Sequence, residues 1–142
     1  MSAAPLARRA SLGRRLGSSL YDLLLNVAIA MVATLPFIVL AGDATGGWKR
    51  HALQLWDIAW IGAYYVWFWT HGGQTLPMQT WRIRIVRAAD GGPVNTGRAI
   101  HRYVLAVLGF VALGLGFAWA LVDRERQFLH DRLAGTAIVD AR

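Results

Sequence analysis

The sequence predicts an all-α integral membrane protein, a small helical bundle formed by one domain over residues 1–142, and three observations predict it. Hydrophobic residues make up 56% of the chain, with a mean hydropathy of +0.37, which is too apolar for most soluble chains of this size. Apolar residues gather into three long runs, at about 20–41, 53–70 and 103–122. The fifteen Lys and Arg residues sit in clusters between those runs. A nucleic-acid binder would carry such charge on one solvated face, so the distribution argues against that class. Cysteine is absent, which removes disulfides, iron–sulfur ligation and thiol chemistry.

The first run, 20–41, has 22 residues, enough to cross a hydrocarbon core of roughly 30 Å at about 1.5 Å per residue. A cleaved signal peptide would share the basic flank Arg8, Arg9, Arg14 and Arg15. Its apolar core, however, is usually only about 7 to 15 residues and would seldom hold Asp22 and Asn26, so a retained helix is expected. Residues 42–50 read as a loop. The second run holds Trp56, Trp60, Tyr64, Tyr65, Trp67, Phe68 and Trp69, the aromatic signature of a span anchored at both interfaces.

Polar sequence follows from 71 to 97. Within it, Trp81-Arg82-Ile83-Arg84-Ile85-Val86 alternates apolar and basic residues, fitting a strand or a segment lying on the membrane surface, and Asp90-Gly91-Gly92-Pro93 is a turn signal. Arg82, Arg84 and Arg87 are the candidate contacts to anionic lipid head groups. The third run is punctuated by Gly109, Gly114 and Gly116.

Lys and Arg density places the amino terminus and the second connection on the cytoplasmic side of an inner membrane: four arginines precede the first helix, and Arg82, Arg84, Arg87, Arg98 and Arg102 lie in the connection. Three crossings would export a tail carrying Arg124, Arg126, Arg132 and Arg142. An internal echo bears on this, because 74–86 lines up with 127–139 at a constant offset of 53 residues (74 to 127). Related segments in related places would make the tail cytoplasmic and the third run a glycine-bent re-entrant hairpin. Chance similarity would leave one ordinary span.

Arg15, Ser18, Asp22 and Asn26 recur every three or four residues, which puts them on one side of the first helix. A carboxylate at helix depth is costly unless paired or hydrated, so Asp22 is expected to face protein, with a partner from another segment rather than Arg15, two turns away. Arg15 also suits a snorkelling interfacial anchor, and Asn26 suits interhelical hydrogen bonding. Asp57 reads as an interfacial carboxylate, and the row Trp56, Trp60, Tyr64 as packing. The histidines His51, His71, His101 and His130 show no metal-ligand spacing. With no nucleophile elbow, phosphate loop or metal set, neither an enzymatic role nor a cofactor is expected.

The pattern as a whole resembles the RDD family of bacterial inner-membrane proteins. The residues that carry it are Arg14-Arg15-Leu16 leading to Asp22, Gly73-Gln74-Thr75-Leu76, Asp90-Gly91, Asp123-Arg124 with Arg126-Gln127, and His130-Asp131-Arg132-Leu133-Ala134-Gly135-Thr136. Pro77 stands where many relatives carry glycine. The resemblance assigns the family's arginine and two aspartates to Arg15, Asp22 and Asp131, Arg15 rather than Arg14 because of its seven-residue spacing to Asp22. It implies a multi-pass membrane protein involved in transport of unidentified ligands, some members being linked to sodium/proton exchange. Two functions are therefore expected: a subunit of a small ion or solute transport assembly, working as a homo-oligomer or with a membrane partner, or a non-transporting accessory, assembly or interaction protein.

Overall fold

The computed structural model describes residues 8–112, 114–123 and 127–141; Arg124, Arg126 and Arg142 of the tail lie outside them. Helix α1 (Leu12–Ala41) begins where Ser11 accepts the Arg14 N–H and runs on through Pro36. Helix α2 (Gly47–Thr70) packs against it. A short helix α3 (Leu76–Thr80) follows, with Pro77 in its first turn. Proline is at home there because that N–H has no helical acceptor, so replacing the glycine of relatives costs the backbone nothing.

Helix α4 (Thr96–Val111) is capped by Asn95 and also packs against α2. Gly62 makes that approach possible: a Cβ there would lie 2.6 Å from the Tyr103 ring. The third apolar run does not continue as one helix. It ends at Ala112, turns through Gly114 at φ 75°, and proceeds as α5 (Leu115–Ala118) and a 3₁₀ turn (Trp119–Leu121). Only Gly readily adopts that left-handed backbone. The turn returns Ala120 to the same buried core as Ile83, Phe128 and Ile138, so the run is broken rather than one continuous helix.

The chain is not all-α. Strand β1 (Ile83–Arg87) and strand β2 (Thr136–Asp140), separated by α4, α5 and α6 (Leu129–Ala134), pair antiparallel with Ile85 opposite Ile138. That register is the internal echo made physical, since 85 and 138 differ by the same 53 residues as 74 and 127. Each copy is a glutamine, a short helix and a strand. Gln74 Nε2 donates to the Ile83 carbonyl at 2.9 Å, and Gln127 Nε2 to the equivalent Thr136 carbonyl at 3.2 Å. Residues before α1 join the same sheet: Arg9 bridges Val139, and the Ala10 N–H donates to the Ile138 carbonyl at 3.0 Å. The start of α1, the second connection and the tail therefore meet at one end of the bundle.

Among the described residues, α1 is the one helix long and apolar enough to cross a membrane, and none of its most apolar stretch is buried. Leu24, Met31, Leu35 and Val39 all face outward. A contiguous apolar surface of that kind is unfavourable in water and marks contact with lipid or another protein. At 24 residues α2 is long enough, but its polar-tipped Trp and Tyr side chains, with Lys49, Arg50 and Asp57, hold it below the same apolarity.

Candidate functional site

The helical stripe on α1 turns inward. Arg15, Ser18 and Asp22 are buried, and with Asn26 they line a cavity of about 750 Å³ that extends between α1 and α4. Asp22 is held from another segment, as its depth required: the Thr75 hydroxyl donates to its Oδ2 at 3.0 Å. The same hydroxyl oxygen accepts the Met78 N–H and so caps α3. The N-cap of a five-residue helix thus fixes the buried carboxylate.

Asp131 is buried in α6 and pairs with Arg102 of α4, whose Nε and Nη2 donate to Oδ1 at 2.8 and 2.5 Å. Both side chains are nearly inaccessible, at 5% and 1% exposure. Arg102 stacks 4.3 Å above the Trp69 ring, and the Thr136 hydroxyl donates to the same Asp131 oxygen at 3.3 Å. One turn before Arg102, Arg98 donates to the Ala134 and Gly135 carbonyls at the end of α6. Two arginines at i and i+4 therefore clamp the tail helix to α4.

Arg102 connects the two carboxylates, acting on Asp22 electrostatically while bonded to Asp131, and Asp131 acts in turn on Arg15. The three residues picked out in the sequence accordingly belong to one polar cluster. Among the described residues the Arg15 side chain has no hydrogen-bond or ion-pair partner; its guanidinium lies 5.5 Å above the Phe128 ring and its Nε is buried. Arg14 points elsewhere. It bonds the Trp81 and Arg82 carbonyls and Asp140, tying α1 to the sheet. His130 borders the cavity from α6, and burial, ahead of the opposing pull of Asp131, pushes it down to about 4.

The basic segment is placed differently from the expectation. Arg82 and Arg84 are exposed, but Ile83 and Ile85 turn into the protein core and not toward lipid. Arg87 pairs with Asp90 at 2.9 Å inside the turn. The Gly92 N–H and then Arg87 hold the Asp90 carboxyl below the usual range. Asp57 lies ten residues into α2 and accepts from the Thr34 hydroxyl at 3.2 Å, a contact between helices. Trp56 packs on Trp60 and Phe37 and donates to the Ala33 carbonyl.

Three residues of the cluster carried no distinct signal. Arg102 looked like one of five topogenic arginines, although its i, i+4 spacing from Arg98 on a helix was a clue. Thr75 and His130 become significant only where α3 and α6 fold back against α1. Among the described residues, no group of three His, Cys, Asp or Glu is placed to hold a metal ion.

A bundle whose longest helix exposes its apolar face while its polar stripe meets a buried hydroxyl from α3 and buried charges from α4 and α6 has the character of a membrane protein. The chain belongs to the RDD family, which matches it over residues 9–135. It is 30% identical over 83 residues to an uncharacterized protein, RP437, of Rickettsia prowazekii (strain Madrid E), an alignment covering 58% of this chain and 46% of that protein. The match thus spans less than half of the relative's length. No solved structure matches the chain.

Proposed function

We propose that the protein is a subunit of a small ion or solute transport assembly in the inner membrane, with α1 and α2 crossing it and the sheet end cytoplasmic. The observation that carries this is the group of buried Arg15, Asp22 and Arg102 lining one end of a cavity between helices, with Asp131 paired to Arg102 behind it. Ionisable groups placed within helical membrane segments face protein or water-filled paths, and binding and releasing cations or protons is what they do there. Asp22 is the group suited to that work. Asp131 is committed to Arg102 by an ion pair, whereas Asp22 is held by hydroxyl groups, the Thr75 hydroxyl on its Oδ2 with Tyr64 nearby. The arginine density of the sheet end supports the cytoplasmic assignment. Two long helices enclose too little for a complete path, so an oligomer or a membrane partner completes it.

Reconstitution in vesicles tests this, with oligomeric mass measured in nanodiscs alongside. Asp22→Asn should fold and assemble yet lose cation-dependent flux, because asparagine keeps the Thr75 hydrogen bond but cannot titrate. Full flux from folded Asp22→Asn would remove Asp22 from the transport step, flux from a persistent monomer would remove the need for an assembly, and absence of flux from the wild-type chain would leave the accessory or assembly role.

A further inference from the structure

We infer that the cavity between α1 and α4 is a binding site for a membrane phospholipid, with its phosphate at Arg15 and one acyl chain along the groove. The first observation is Arg15. A guanidinium only 5% exposed, with the Phe128 ring beside it but no hydrogen bond or ion pair among the described residues, is a costly arrangement. Planar guanidinium is the side chain best matched to phosphate oxygens, which accept two of its N–H groups at once.

The second observation is the shape and polarity of the groove. Its polar groups on α1, Arg15, Ser18, Asp22 and Asn26, lie toward the sheet end, where Arg102 of α4 and His130 of α6 also line it. Beyond them its walls are aliphatic and aromatic, with Val27 and Ala30 on α1 facing Ala106, Val107 and Phe110 on α4. From Arg15 to Ala30 the groove follows fifteen helical residues, about 22 Å at 1.5 Å per residue. One leaflet contributes roughly 15 Å of hydrocarbon, so a chain entering beside Arg15 stays within the groove for its length. A soluble anion would use only the arginine and leave the apolar walls without a role. The combination of a buried guanidinium not committed to a carboxylate and a long apolar trough is complementary to an anionic phosphodiester carrying a hydrocarbon tail.

This inference shares the membrane placement proposed above but not the transport step. Lipid retention is scored without flux, so each fails separately. Asp22 remains free for a cation, because the phosphate is assigned to Arg15.

Native mass spectrometry of the full chain released from nanodiscs reads the site. The bilayers contain phospholipid and diacylglycerol with the same chains, so that only the phosphate differs. One phospholipid should be retained per chain, in preference to diacylglycerol. Arg15→Gln should lower retention at least about tenfold, the loss of charge-assisted hydrogen bonds. Ala106→Trp should lower it as strongly by filling the trough while leaving the polar cluster in place. Millimolar inorganic phosphate should not displace the lipid. The inference is overturned if the wild-type chain retains no phospholipid, if diacylglycerol is held equally well, or if inorganic phosphate competes. It is also overturned if folded Arg15→Gln or Ala106→Trp keeps wild-type retention. The wild-type comparisons decide the matter even where a variant does not fold.

Discussion

Arg102 and Asp131 form the pair on which the arrangement of charges depends, and breaking it has a calculable direction. Asp131→Asn leaves a guanidinium buried against Trp69 with Asp22 as its remaining counter-charge, and removing one member of a buried pair typically costs about 3 to 5 kcal/mol. Asp57 is half-buried and its carboxylate accepts one hydroxyl, so Asp57→Asn should cost under about 1 kcal/mol. Thermal unfolding of both variants in the same detergent checks the order, and a larger loss for Asp57→Asn would contradict it. His130 makes stability depend on pH. Its ring stays neutral in the native protein down to about 4, whereas the unfolded chain takes up a proton near the ordinary value of 6.5. The unfolded state therefore binds more protons in that window, and native stability falls as pH drops through 6.5 toward 4, by up to roughly 3 kcal/mol. Burial is the main cause, with Asp131 opposing it and Arg102 adding to it. Unfolding temperatures at pH 7.5 and 5 should diverge less in His130→Gln than in the native chain.

At the scale of elements, the informative feature is the pairing of β1 with β2 and the bridge from Arg9. Three segments distant in sequence are tied into one sheet, so they lie on the same side of any membrane that α1 crosses. The chain has no cysteine of its own, which permits single reporters at Thr45, Ala89 and Ala141. In intact cells an impermeant thiol reagent should label Thr45→Cys alone. Labelling of Ala141→Cys would require the tail to be exported, and the sheet could not then form. The two copies of glutamine, short helix and strand also explain why the tail carries almost no long-helix signal: it repeats the second connection, not a span.

For the molecule as a whole, the sequence by itself determined a good deal. The apolar length of α1 follows from composition, because 22 residues without charge beyond Asp22 can be satisfied only by a helix in lipid or against protein. The inward stripe of Arg15, Ser18, Asp22 and Asn26 follows from helical period alone, and the family assignment follows from residues spread along the chain. Alternation at Ile83 and Ile85 left strand and surface segment undecided, since period-two patterning states which side chains share a face but not what covers that face. Only the tertiary structure decided that the covering is the protein's own core, that β2 is the partner, and that the third run is broken at Gly114. It also decided which arginine does what: Arg14 ties the sheet, Arg102 neutralises Asp131, and Arg15 is left beside the groove. Five arginines in one connection look alike in sequence because their differences lie in long-range geometry, fixed when α4 and α6 are brought against α1 and α2.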